Sequence, residues 1–112
     1  MKKRFWLSYD LGIDGDYDGL YGWLDRIKAI ECGDGLASFA LDVGKSRDIP
    51  AFILKQIKQR TSLRKRDRLY LIWRREDKKM SGDFIHGERH RSPWAGYAVE
   101  GSDSTEDTED AD

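Results

Sequence analysis

Phe5, Leu7, Tyr9 and Leu11 alternate with Trp6, Ser8 and Asp10. That period of two predicts a first strand over about residues 4–11, apolar on one face and mixed on the other. Gly12 to Asp16 break it. Leu20, Trp23, Leu24, Ile27 and Ile30 then recur at helical spacing, which predicts a helix over about residues 17–30. Asp16 is placed to cap it, and Asp18 in its first turn suits the positive end of the helix dipole. Gly33-Asp34-Gly35 marks a turn between a short segment at Ala29–Cys32 and the alternating run Leu36–Val43, a hairpin pattern. Asp48 caps a second helix, with Pro50 in its first turn and Ile49, Phe52, Ile53 and Ile57 as its apolar stripe. Leu69, Leu71 and Trp73 alternate with Tyr70 and Ile72 in a strand over Arg68–Arg75. Further strands are predicted near Met80–Glu88 and Trp94–Val99.

The order is β-α-β-β-α-β with a C-terminal strand extension, which predicts a ferredoxin-like α+β sandwich over residues 1–99. Both helices would cover one face of the sheet. Trp6, Ser8, Asp10, Ser38, Ala40, Tyr70 and Ile72 would lie on the other, too apolar a surface to leave in water. Dimerisation through that face is the simplest remedy, and a homodimer is expected. Residues 100–112 are a different material, with seven acids, no base and a single apolar residue. They cannot offset the entropy of ordering, so a disordered acidic tail is expected.

The formal net charge of −1 hides this asymmetry. Residues 45–99 hold fifteen bases and six acids. A basic surface of that kind suits an anionic partner, RNA or DNA. Its densest part is Arg60, Arg64, Lys65, Arg66 and Arg68, continued by Arg74 and Arg75, with Tyr70 and Trp73 interleaved. Phosphate contact from the bases and stacking on the aromatics would make this a nucleic-acid-binding surface. A solvated, salt-bridged surface is the plainer reading. Cys32 is the one cysteine, so no disulfide can form within the chain, which fits a reducing compartment. With no apolar run of signal-peptide or membrane-span length, a cytoplasmic protein without membrane contact is expected.

Three groups carry candidate chemistry. Asp14-Gly15-Asp16-Tyr17-Asp18-Gly19, with Asp25 twelfth in the count, matches the first half of a calcium-binding loop. The twelfth ligand is short and the preceding segment reads as a strand, so a turn and helix cap explain the run better. His86 and His90 flank Glu88 at same-face spacing. In a strand the two imidazoles would lie ~13 Å apart, too far for one zinc, whose ligands sit ~2 Å away. Acid–base work at a phosphate held by Arg89 and Arg91 is the softer reading, against a polar loop.

In the run Phe5-Trp6-Leu7-Ser8-Tyr9-Asp10, in Ser38-Phe39, and in the order of elements over residues 4–75, the chain resembles the small ferredoxin-like subunit of the CRISPR adaptation machinery and its relative, virulence-associated protein D. The resemblance implies a dimer formed through the sheet, with Trp94–Val99 crossing to the partner. It also implies metal-dependent nuclease chemistry, with Asp10 holding Mg²⁺ near a scissile phosphate. The acidic residues after Asp10 depart from the family's basic ones. The expectation is therefore a dimeric nucleic-acid-associated protein. If it is an enzyme, it is an endoribonuclease using Asp10, His86 and His90. The alternative is a non-enzymatic module that binds another protein through the open sheet face or the acidic tail.

Overall fold

A computed structural model describes residues 2–98 of the chain. The order is β1 (Lys2–Asp10), α1 (Tyr17–Arg26), β2 (Ile30–Gly33), β3 (Leu36–Asp42), α2 (Ile49–Lys58), β4 (Arg68–Arg74) and β5 (Met80–His86). The five strands form one sheet in the order β2-β3-β1-β4-β5, and every pairing is antiparallel. This α+β arrangement is compatible with the pattern of elements expected from the sequence. The acidic run at residues 100–112 lies outside the described residues.

The alternation in β1 is what splits the sheet into two faces. Phe5 stands opposite Phe39 and Trp73, and Leu7 opposite Ala37 and Leu71. These side chains meet Leu20, Trp23 and Leu24 of α1 and Ile49, Ile53 and Ile57 of α2 in one buried cluster. Phe5 and Phe39 stack with centroids 5.5 Å apart, and Trp23 meets Phe39 edge-on at 5.2 Å. Trp73 thus belongs to the core side. Trp6 stands opposite Ser38 and Ile72, Ser8 opposite Leu36 and Tyr70, and Asp10 opposite Arg68, on the face away from α1 and α2.

Both helices start where their caps predict. Asp16 accepts from the Gly19 N–H at 3.0 Å, and Asp48 from the Ala51 N–H at 3.1 Å. The run Asp14–Gly19 is accordingly a turn and a cap. Helix α1 ends four residues sooner than expected. Lys28 takes a left-handed conformation (φ 61°). Its N–H reaches the Asp25 carbonyl at 3.1 Å and the Ala29 N–H reaches Leu24 at 2.9 Å. This is a Schellman closure built on lysine instead of glycine. Ile30 therefore leaves the helix stripe, begins β2 and is 57% exposed.

The strand expected at Trp94–Val99 does not form among the described residues. The Ala95 N–H bonds to the Ser92 carbonyl and the Tyr97 N–H to the Trp94 carbonyl, both at 3.0 Å, so the chain turns there. Val99 itself lies outside the described residues. β5, by contrast, is the strand expected after the second β-α-β unit, and it pairs with β4 from Arg74↔Met80 to Leu69↔His86. Among the described residues no helix is long and apolar enough to cross a membrane.

Candidate nucleic-acid interface

The open face gains its chemistry from the register of β1, β4 and β5. Tyr70 stands opposite Ser8 on one side and Phe84 on the other. The two rings meet edge to face, centroids 4.9 Å apart. Tyr70 lies over Gly82, where an added Cβ would come within 2.5 Å of its hydroxyl. Glycine at this position is what lets the ring lie down on the sheet. Arg89, just beyond β5, places its guanidinium 5.2 Å from the Phe84 centroid and 5.9 Å from that of Tyr70. Arg68 approaches Phe84 at 5.7 Å. Ser8, Asp10, Arg68, Tyr70, Phe84 and Arg89 line a cleft of about 350 Å³.

Asp10 is the acid in that cleft. Its side chain is 67% exposed and lies 3.9 Å from Arg68 Nη2, while its Oδ1 accepts the Gly12 N–H at 3.2 Å. No group of three or more His, Cys, Asp or Glu side chains converges to hold a metal ion among the described residues. Among the described residues the lining of this cleft includes one carboxylate, already faced by a guanidinium.

The basic cluster read from the sequence divides between two ends of β4. Arg68 and Arg74 are on the open face, opposite Asp10 and Met80 respectively. Arg64 is committed elsewhere. Its Nη2 bonds to Asp67 at 3.0 Å, and the same nitrogen donates to the Leu11 carbonyl. Arg75 is paired with Asp77 through Nε at 3.2 Å and Nη2 at 2.8 Å, a pairing that holds the Asp77 carboxyl below its ordinary pKa. Arg60, Lys65 and Arg66 are exposed around the α2–β4 connection. Lys65 and Arg66 line a second cleft with Arg68, His86, Gly87, Glu88 and His90. His86 and His90 thus share a cleft with each other, and Arg68 joins it to the one containing Asp10. The His86 ring is tethered, its Nε2 lying 2.7 Å from the Arg64 carbonyl.

At the far end of the open face, Lys2, Arg4, Trp6, Arg74 and Met80 line a broader cleft. Arg4 is held over β3 by a hydrogen bond from Nη1 to the Ser38 hydroxyl, 3.2 Å. That hydroxyl in turn donates to the Phe5 carbonyl at 2.9 Å. Phe84, Arg89 and Arg4 belong to this surface although the linear pattern did not point to them as a group. They meet only once β1, β4 and β5 are aligned side by side. No protein-family model, curated protein or solved structure matches the chain.

Proposed function

We propose that this is a ferredoxin-like domain, extended by β5, that binds single-stranded nucleic acid across its open sheet face. The observation that carries the reading is the alternation of flat rings and guanidinium groups on that face. Trp6, Tyr70 and Phe84 are half-buried, with Arg4 and Arg74 at one end and Arg68 and Arg89 at the other. Rings partly sunk in a sheet lose little entropy when a base stacks on them, and such stacking contributes ~1–3 kcal/mol per base. The cations answer the phosphates. From Arg68 to Arg74 the face runs ~20 Å along the strand, room for a short single strand.

The test is fluorescence anisotropy of a labelled, unstructured oligonucleotide titrated with the full chain at low salt. Binding should weaken ~5-fold or more for Tyr70→Ala and again for Arg68→Ala, in line with the loss of one stack or one phosphate contact. No binding by the parent chain, or equal affinity in Tyr70→Ala, would overturn the proposal.

A second copy of the chain is the other occupant this face admits, and it is the homodimer anticipated from the sequence. Ile30 (57% exposed) and Met80 (54% exposed) extend the apolar surface to both sides. The two occupants compete for the same residues and respond to salt in opposite directions.

A further inference from the structure

Asp10 is out of place on a surface that holds phosphates. A carboxylate beside the Arg68 and Arg89 guanidinium groups lowers affinity for any polyanion, and a base edge that supplies N–H donors would turn it to use. We propose, resting on the nucleic-acid reading above, that the cleft of Ser8, Asp10, Arg68, Tyr70, Phe84 and Arg89 selects guanine.

The argument is one of donor and acceptor order. Arg68 Nη2 and Asp10 Oδ2 lie 3.9 Å apart and stand across from each other on β4 and β1. The wall therefore presents N–H donors beside a pair of acceptor oxygens. Single-stranded bases are read on their exposed Watson–Crick edges. Guanine's edge runs O6 acceptor, N1–H donor, N2–H donor, the complement of this wall: O6 against the guanidinium, the two N–H groups against the carboxylate. Adenine and cytosine present an amine where O6 would be and a lone pair where N1–H would be, so both contacts become repulsive. Uracil matches the first two positions and then turns a carbonyl oxygen towards the carboxylate. Only one of the four common bases satisfies the whole wall.

The rest of the cleft holds the base in reach of that wall. The Tyr70–Phe84 pair makes its floor, and the Arg89 guanidinium lies 5.2 Å from the Phe84 ring centroid. A planar guanidinium stacks on a base as an aromatic ring does. Asp10 keeps acceptor capacity for the ligand, because a carboxylate has about four lone-pair sites and the Gly12 N–H occupies one of them. Ser8 adds a hydroxyl on the same face of β1.

The experiment compares cytidine oligonucleotides of about nine residues that carry one central guanine, inosine or adenine. Inosine keeps O6 and N1–H and lacks the N2 amine. The parent chain should bind the guanine oligonucleotide ~10-fold or more tightly than the adenine one, the discrimination of a good bidentate contact, with inosine between them. Asp10→Asn should reduce the guanine preference to about twofold or less while all-cytidine binding holds or tightens, since a negative charge has gone. The exposed position of Asp10 makes the variant safe for folding, and thermal melting checks it. Equal affinity of the parent chain for all three oligonucleotides overturns the guanine subsite and leaves the binding domain standing. A full guanine preference in Asp10→Asn overturns the role of this carboxylate. Absence of binding to any of them overturns the binding domain itself.

Discussion

Removing the Asp67 carboxylate should cost the fold about 2–3 kcal/mol. Asp67 has no solvent exposure. Its Oδ2 accepts the Arg64 backbone N–H at 2.7 Å, and its Oδ1 accepts Arg64 Nε at 3.3 Å and Nη2 at 3.0 Å. Breaking a fully buried pair from one side costs ~3–5 kcal/mol, because a charge is stranded. Here the stranded Arg64 side chain is 31% exposed and stays partly hydrated, which lowers the figure. Asp67→Ala should therefore melt ~10–20 °C lower, at ~4–8 °C per kcal/mol for a domain of this size. A domain with ~5–15 kcal/mol to lose still folds. Asp67→Asn, which keeps one acceptor oxygen, should fall between. Urea unfolding followed by tryptophan fluorescence reads the difference, since Trp23 is 2% exposed when folded. The double variant Arg64→Met/Asp67→Leu should recover part of the loss, because no charge is left behind, although the Arg64 N–H and the Leu11 carbonyl lose these partners. A cost below ~0.5 kcal/mol for Asp67→Ala, the size of an ordinary surface change, would refute the reasoning. The consequence reaches the cleft. Arg64 also holds the Leu11 carbonyl, next to Asp10, and its own carbonyl holds His86 at the end of β5.

Gly82→Ala should weaken oligonucleotide binding several-fold with a stability change under ~1 kcal/mol. The new Cβ displaces the far end of the Tyr70 side chain and no backbone, so anisotropy and melting should separate. Gly87→Ala should do the reverse and destabilise by at least ~1–2 kcal/mol, because φ there is +84° and the Cβ would come within 2.4 Å of the Asp67 carbonyl; an unchanged urea midpoint refutes it. The Asp16 carboxyl is held below its ordinary pKa first by the Ser62 N–H and then by the Gly19 N–H. Its stabilising contribution is present above the unfolded carboxylate pKa of ~3.9 and is lost as pH falls through the lower folded value. The gap in urea midpoint between the parent chain and Asp16→Asn should therefore close in acid, and a gap independent of pH would count against this.

The two-residue alternation made the faces of β1, β3 and β4 legible, because a half-buried strand writes its faces into every second residue. The caps were legible for the same kind of reason: Asp16 and Asp48 act through their own side chains on a neighbouring N–H. The end of α1 was not, because the chain turns on Lys28, a residue with no local signature for positive φ. The basic cluster was visible as composition, yet its division was not. Arg64 and Arg75 look like Arg68 and Arg74 until Asp67 and Asp77 are seen to bind them. Tyr70 meets Phe84 in the regular β4–β5 register, and the register shift between Leu69 and Tyr70 lies between that pair and Arg89. A β-bulge of this kind leaves no mark in a linear pattern.

Salt separates the two occupants of the open face. A face-to-face dimer with two-fold symmetry sets a patch against itself. On this face the patch of Arg4, Arg68, Arg74 and Arg89 would be set against the same patch of the second copy, with Asp10 included in it. Repulsion of that kind is relieved as the screening length falls from ~14 Å at 50 mM salt to ~7 Å at 200 mM. The apolar burial that opposes it is not weakened by salt. Self-association through the face should therefore hold or tighten between 50 and 200 mM salt. Nucleic-acid binding should go the other way. Two to four phosphate contacts on a single strand, the lower number where Arg68 reads a base and Arg89 stacks on it, reduce the association constant ~7- to ~50-fold over that range at a slope of about −0.7 each. Sedimentation of the chain alone and anisotropy with oligonucleotide, run on the same samples, give both slopes. Where the two equilibria share the face, saturating oligonucleotide at low salt should convert any dimer to monomer, and a dimer that survives saturation uses another surface. Oligonucleotide binding that is indifferent to salt would remove the guanidinium–phosphate contacts from the account and, with them, the reason for placing an anion on this sheet.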